Sequence, residues 1–342
     1  MRIGLVGFGA GGRLSHLPYI QAAAEWSLSG VVTGSAERRR VLAAEAPGIP
    51  AYSSLDDLID AGVDAVVVST PPQTRRELVL RALERRVHVV ADKPFAPDAA
   101  TGRELRDAAE RADRVLTVYQ NRRWDTDLLT LRSVLDSGEL GDVWRAHFVL
   151  DQDDPATLEP GAANGLLRDL GAHVVDQLTC LFGPVVQVDG HLDRVGSGAE
   201  RVDGSFSLGL HHANGVYSTA TGSKVCRREE RAMTVYGSSG SYDSRMSDVQ
   251  IDLVRAGRRP ASFEGEWGLE DESRWGVLST AAGRRTVKPV PGDYSDFYRS
   301  LHRALVDGTE PPVRLDQVLH TVAVLDAARE SADTGRRVAI SS

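Results

Sequence analysis

The sequence predicts an α/β half joined to an α+β half. A doubly wound parallel sheet is expected over residues 1–120, and a mostly antiparallel, open-faced sheet over 121–342. Three observations predict this. The first 120 residues alternate wholly apolar short runs with helical patterns, as buried parallel strands and their crossover helices do. A glycine-rich loop, GLVGFGAGG, separates the first run from the first helical stretch. After Tyr119, strand-like runs follow one another without helices between them, which favours antiparallel pairing.

Taken in order, the first apolar runs are RIGLV (2–6), LSGVVT (28–33), DAVVVST (64–70), VHVVA (87–91) and RVLTVY (114–119). Helices are expected near 13–25, 36–45, 54–60, 74–86 and 98–112. A helix over about 124–137 ends at Ser137-Gly138, and DVWRAHFVLD (142–151) opens the second sheet. A single helix from about Arg168 to Phe182 is stopped by Gly183-Pro184. Strands are expected at 185–195, 203–210, 215–221, 231–236 and 248–254, with Gly, Ser and Asn in their turns. Two helices, near 293–307 and 315–331, close the chain, and 255–290 carries no assignable pattern.

Composition narrows the function classes. A chain of 342 residues suits two domains. The net charge of −8 does not favour a nucleic-acid or anionic-membrane partner. Two cysteines build neither a disulfide framework nor, alone, a structural zinc site, and no His-Cys cluster has zinc-ligand spacing. No run approaches the roughly 20 apolar residues of a membrane span. Met1 leads straight into a strand, so the expectation is a cytoplasmic protein acting on small molecules, without a metal.

Gly7, Gly9 and Gly12 stand in G-x-G-x-x-G spacing between a strand and a helix. Gly7 permits the tight turn, Gly9 lets backbone approach a pyrophosphate, and Gly12 lets helix and strand pack closely. The free N–H groups of the following helix suit phosphate. This is the Rossmann dinucleotide pattern. The expected contacts are Gly7, Phe8, Gly9, Gly11, Gly12, Thr33, Gly34, Ser35, Arg38, Thr70, Pro71 and Lys93. An NAD site usually ends its second strand on a carboxylate that holds the ribose hydroxyls. Here Thr33, Gly34 and Ser35 precede the first carboxylate, Glu37, and Arg38 and Arg39 follow it. Hydroxyls and a guanidinium suit a 2′-phosphate, so NADP is expected, with NAD possible.

Of the 40 basic residues, three are lysines: Lys93, Lys224 and Lys288. Lys93 ends an apolar run at the expected carboxyl edge of the sheet, where open α/β sheets bind ligands. A compact ammonium there can touch one oxygen and share a proton, which a guanidinium cannot. Lys224 and Lys288 lack such a context and receive no role. Asp169 and His173 are four apart and share a helix face, with Asp176 three further on. Histidine titrates near neutrality and is the usual general base. Asn121, Arg122, Arg123 and Trp124, just past the last Rossmann strand, are expected at the substrate pocket, or else in interdomain packing. His16 and Tyr119 are weaker candidates, and His211 and His212 read as a hairpin shoulder.

These motifs together resemble the Gfo/Idh/MocA oxidoreductases. The resemblance runs from GFGAGG through VVVSTPPQTRRELVLRAL, VHVVADKPFA and LLRDLGAHVVDQL to the tail YRSLHRALVDGTEPPV. The family's Glu-Lys-Pro motif is Asp92-Lys93-Pro94 here, and its Asp-x-x-x-His motif falls on Asp169 and His173. The stretch 118–143 looks most like the NADP-linked scyllo-inositol dehydrogenase branch, although there a basic residue lies nearer the second strand. The resemblance implies hydride transfer between nicotinamide and a secondary alcohol of a cyclic polyol or sugar. Lys93, Asp169 and His173 would be catalytic, with Asp169 orienting the imidazole or binding a hydroxyl. The alternatives are an NAD-dependent glycosidase of the same superfamily, a keto-sugar reductase and an NADP-sensing binding protein. A homodimer or homotetramer is expected through the open sheet.

Overall fold

The computed structural model describes residues 1–161, 164–198 and 201–340. The first sheet has six parallel strands: β1 (Arg2–Val6), β2 (Ser27–Val32), β3 (Ala51–Tyr52), β4 (Ala65–Val68), β5 (His88–Ala91) and β6 (Leu116–Val118). Their order is β3-β2-β1-β4-β5-β6, and every pairing is parallel. Val, Leu and Ile dominate because helices cover both faces and bury most of the strand positions. The order reverses direction between β1 and β4, which opens a crevice at the strands' carboxyl ends.

The helices of this part span Leu17–Ala22, Ala36–Glu45, Leu55–Asp60, Pro72–Glu84 and Ala99–Ala112. Ser35, Ser54 and Asp98 cap three of them by accepting from Arg38 N, Asp57 N and Thr101 N. The first helical stretch is wider than an α-helix over Gly11–His16, four residues after the turn at Gly7.

The second sheet has nine strands: β7 (Val143–Asp151), β8 (Val185–Val195), β9 (Val202–His212), β10 (Tyr217–Ser223), β11 (Glu230–Gly237), β12 (Gly240–Ser244), β13 (Val277–Thr280), β14 (Gly283–Thr286) and β15 (Val338–Ala339). Their order is β14-β13-β12-β11-β7-β10-β9-β8-β15. All pairings are antiparallel except β7 with β10. Buried and half-buried residues alternate along β7 and β10, because one face meets the helices at Gly171–Phe182 and Leu315–Thr334 and the other does not. His211 meets Asp189 at 3.1 Å, and His212 lies 2.8 Å from both the Gly183 carbonyl and Ser218 Oγ.

Two expectations are corrected. Residues 248–254 were expected as a strand but form a helix, Val249–Arg255. Gln250 and Val254 are its buried positions, four apart on one helical face. The Gln250 side chain there donates to the Trp124 carbonyl and accepts from Trp267 Nε1 and Tyr294 N. The expected single helix over 168–182 is two, Leu166–Asp169 and Gly171–Phe182, broken at Leu170. The unassigned stretch 255–290 supplies β13 and β14. Tyr294, Phe297, Tyr298 and Leu301 return to the core of the first sheet, so the last third of the chain packs against both sheets. Among the described residues no helix is long and apolar enough to cross a membrane.

Candidate active site

At the carboxyl end of β1 the glycine loop turns over the sheet. Gly7 has φ +99°, and a Cβ there would sit 2.2 Å from the Ser69 carbonyl oxygen. Only glycine fits both conditions. A Cβ on Gly12 would come as close to the Gly7 carbonyl, whereas Gly9 and Gly34 face open space. Phe8 turns its ring into the core, so only its backbone is available. At the end of β2, Thr33 is buried and its hydroxyl lacks a hydrogen-bond partner among the described residues. Arg39, not Arg38, folds back here, its guanidinium donating to Thr33 O and Ser53 Oγ at 3.1 Å each. Arg38 is exposed. Open backbone, an unpartnered buried hydroxyl and nearby guanidiniums fit a dinucleotide.

After β4, the loop Ser69–Pro71 is tied down by buried Arg75, which donates to Thr70 O at 2.8 Å and also to Pro94 O. After β5, Asp92 accepts from Ser69 Oγ and from Lys93 N, both at 2.8 Å. Burial would raise the Asp92 carboxyl. The closeness of His16, at 3.3 Å, and the charges of Arg75 and Lys93 hold it well below the usual carboxylate range instead. His16 is fully buried, 2.6 Å from the Tyr298 hydroxyl, and its ring packs on Tyr119. His16 and Tyr119 therefore support the Asp92 loop from beneath.

Lys93 reaches from that loop to the other half of the molecule. Its Nζ lies 2.5 Å from Asp169 Oδ1 and 3.4 Å from the Asp169 carbonyl. The second carboxylate oxygen of Asp169 accepts from Lys224 Nζ at 2.7 Å. Burial would raise the Asp169 carboxyl, but the two lysines outweigh it and keep the group ionised far into acid. Each oxygen of Asp169 thus meets a lysine, and no hydrogen bond joins Asp169 to the His173 ring among the described residues. The sequence reading also missed Lys224, which no local motif marks.

His173 stands in the first turn of the helix after the break, and its Nδ1 is buried without a partner among the described residues. Burial pushes its imidazole well below the ordinary histidine value. The charges of Lys93 and Arg122 add to this, against Asp169 and Asp92. The imidazole is therefore held in its neutral form near neutral pH.

Beside Lys93 and Asp169 lies a cavity of about 230 Å³, lined by Pro72, Lys93 and Pro94 together with Asn164, Arg168, Asp169 and Lys224, while His173 is buried behind its lining residues. Gln73 Nε2 donates to Asn164 Oδ1 at 3.1 Å across its rim. Arg122 and Arg123 do not line it. Arg123 forms a double hydrogen bond with Asp176, at 2.7 and 2.8 Å. Arg122 pairs with Asp125 and Asp248. Trp124 packs edge-on against Phe297, and Asn121 is buried. The side-chain partners of Arg122, Arg123 and Trp124 thus all lie within residues 121–342.

A strand-loop-helix dinucleotide cradle facing a Lys-Asp-His cluster narrows the comparison. Residues 1–120 match the family model of Gfo/Idh/MocA oxidoreductases with an NAD-binding Rossmann fold, and residues 128–243 match that family's C-terminal domain. The chain belongs to the Gfo/Idh/MocA family. YdgJ, an oxidoreductase of Escherichia coli, is 32% identical, the match covering 97% of this chain and 96% of that one. The scyllo-inositol 2-dehydrogenase (NADP(+)) IolW of Bacillus subtilis is 27% identical, with 99% and 95% covered. The solved oxidoreductase yvaA from Bacillus subtilis superposes over 100% of both chains with a TM-score of 0.91, at 27% identity. Within the Gfo/Idh/MocA frame the chain is an NAD(P)-dependent oxidoreductase.

Proposed function

We propose that this chain is a dehydrogenase for a secondary alcohol of a cyclic polyol or sugar, of the inositol type, using NADP in preference to NAD. The carrying observation is the cluster of Lys93, Asp169 and buried, neutral His173 at the carboxyl edge of the first sheet. The relative named for scyllo-inositol and NADP supports the substrate class and the cofactor. Residues 1–120 would hold the dinucleotide, and residues 121–342 the substrate and a partner subunit.

Gly7, Phe8, Gly9, Gly11 and Gly12 would hold the pyrophosphate, Thr33, Gly34, Ser35 and Arg38 the adenosine ribose and its 2′-phosphate, and Thr70, Pro71 and Lys93 the nicotinamide side. Bound nicotinamide supplies the hydride acceptor. His173 would take the hydroxyl proton and leave the step protonated, while the carbon loses the hydride that the nicotinamide accepts, so the alcohol becomes a ketone as the cofactor is reduced. Lys93 donates to the reacting oxygen and stabilises its developing negative charge. Asp169 keeps that ammonium in place. Proton transfer of this kind contributes about 10²–10⁴-fold. Ketone reduction uses the same groups in reverse.

A half-exposed sheet face carrying Tyr236 suits pairing as a homodimer or homotetramer. Two unpaired cysteines suit a reducing, cytoplasmic setting. The test is a panel of cyclic polyols and aldoses mixed with NADP+ and with NAD+, followed by nicotinamide absorbance. Accumulation of reduced cofactor with an inositol, faster with NADP+, is the expected result. Cleavage of a nitrophenyl glycoside without net reduction of cofactor would move the protein to the glycosidase reading.

A further inference from the structure

Lys224 follows β10 directly and lies 55 residues from Asp169 in sequence. Only 5% of it is exposed. Its Nζ donates to Asp169 Oδ2 at 2.7 Å and to Thr157 Oγ1 at 2.8 Å. An ammonium has three N–H groups, so one remains beside the cavity that Lys224 lines. Burying an ammonium is unfavourable unless it is paired. Asp169 already has a counter-ion in Lys93, so charge neutrality does not require a second lysine. The cluster instead carries two ammonium groups for one carboxylate. One comes from the first sheet and the other from the second.

We infer that Lys224 is a positioning residue of the hydride-transfer site. It grips Asp169 from the second sheet, so that the carboxylate cannot swing and the free N–H of Lys93 stays aimed at the reacting oxygen. Thr157 fixes Lys224 in turn. Lys93 and Lys224 touch this carboxylate, Arg168 and Glu159 line the same cavity, and His173 feels the charges of both Asp169 and Lys93. The inference rests on the dehydrogenase reading above for its catalytic consequence, and on geometry alone for the grip.

The test compares Lys224→Met, Lys224→Arg and Thr157→Val in the full chain. Displacing a catalytic group by about 1 Å lowers turnover roughly 100-fold. Lys224→Met should therefore lower kcat roughly 10–100-fold with KM changed less than about threefold, and the acid limb of kcat/KM should move to higher pH. Lys224→Arg should recover part of the loss, and Thr157→Val should lower kcat in the same direction but less. A readout independent of substrate is the Asp169 carboxyl, followed by carbon NMR in aspartate-labelled protein and assigned with Asp169→Asn. It should titrate at higher pH in Lys224→Met than in the parent. If the parent oxidises no polyol, the dehydrogenase reading fails while this titration still decides the grip. Unchanged carboxyl titration, or kcat within twofold of the parent in both Lys224→Met and Thr157→Val, would overturn the inference. If Lys224→Met does not fold, Thr157→Val alone decides it by its kcat.

Discussion

Lys93→Arg retains the positive charge and changes how it is delivered. In the parent, Asp169 takes two of the three N–H groups of the Lys93 ammonium, at 2.5 Å on Oδ1 and 3.4 Å on the carbonyl. The third is left for a substrate oxygen in the cavity that Lys93 lines. A guanidinium is planar and longer, and it prefers to meet a carboxylate with two parallel N–H groups. It would satisfy Asp169, compete with Lys224 for the second oxygen and point no donor at the reacting atom. Losing one donor aimed at a developing oxyanion lowers kcat about 10²–10³-fold, or roughly 3–4 kcal/mol. Dinucleotide affinity should hold, because the glycine loop is untouched. The assay pairs steady-state kcat on the best polyol with NADPH titration by quenching of tryptophan fluorescence. A variant with kcat within threefold of the parent would show that the charge of Lys93, and not its aim, is what matters.

Other expectations follow from separate parts of the structure. His173→Gln should lower kcat by about 10²–10⁴-fold, the range for a lost general base. The same exchange tests the histidine's effect on stability. The unfolded imidazole takes a proton as pH falls through about 6.5, while the folded one resists it, so the parent loses stability as pH drops below that value. Melting of His173→Gln should therefore depend less steeply on pH below about 6.5 than melting of the parent. Arg38→Ala should weaken NADPH roughly tenfold in the fluorescence titration and leave NADH unchanged, since a single exposed charge contact to phosphate is worth about 1–2 kcal/mol. Arg231 pairs with Asp127 at 2.5 and 2.7 Å in a buried network that also holds Asp125. Arg231→Leu leaves the buried Asp127 carboxylate without a counter-ion, while Asp125 keeps Arg122, and should lower stability by about 3–5 kcal/mol in denaturant melts.

Local signals gave the first sheet and missed the pairings made at a distance. RIGLV and the helix 36–45 are read to the residue, because wholly apolar runs and serine caps are written in neighbouring positions. The segment VQIDLVR misled because its apolar residues at 249, 251 and 253 alternate like a strand. Its folded state is decided by Gln250, which bonds to partners 126, 17 and 44 residues away. Arg123 reads as a substrate residue because the carboxylate that meets its Nε and Nη2, Asp176, stands 53 positions on and out of sight of the local pattern. Lys224 is the sharpest case. Nothing in TGSKVC distinguishes it, and its meaning arises only when β10 delivers it to Asp169. The glycine loop and Lys93 were legible for the opposite reason, since the spacing of Gly7, Gly9 and Gly12 and a strand-end lysine are local facts.

The most direct test of the account is to follow the hydride itself. The panel polyol that turns over fastest, deuterated at its ring carbons, is incubated with NADP+, and the reduced cofactor is weighed by mass spectrometry. The account predicts one deuterium per nicotinamide, with ketone formed in equal amount and neither product in Lys93→Arg or His173→Gln above a few per cent of the parent. Reduced cofactor without deuterium, or a panel from which no member reduces either cofactor, would contradict it.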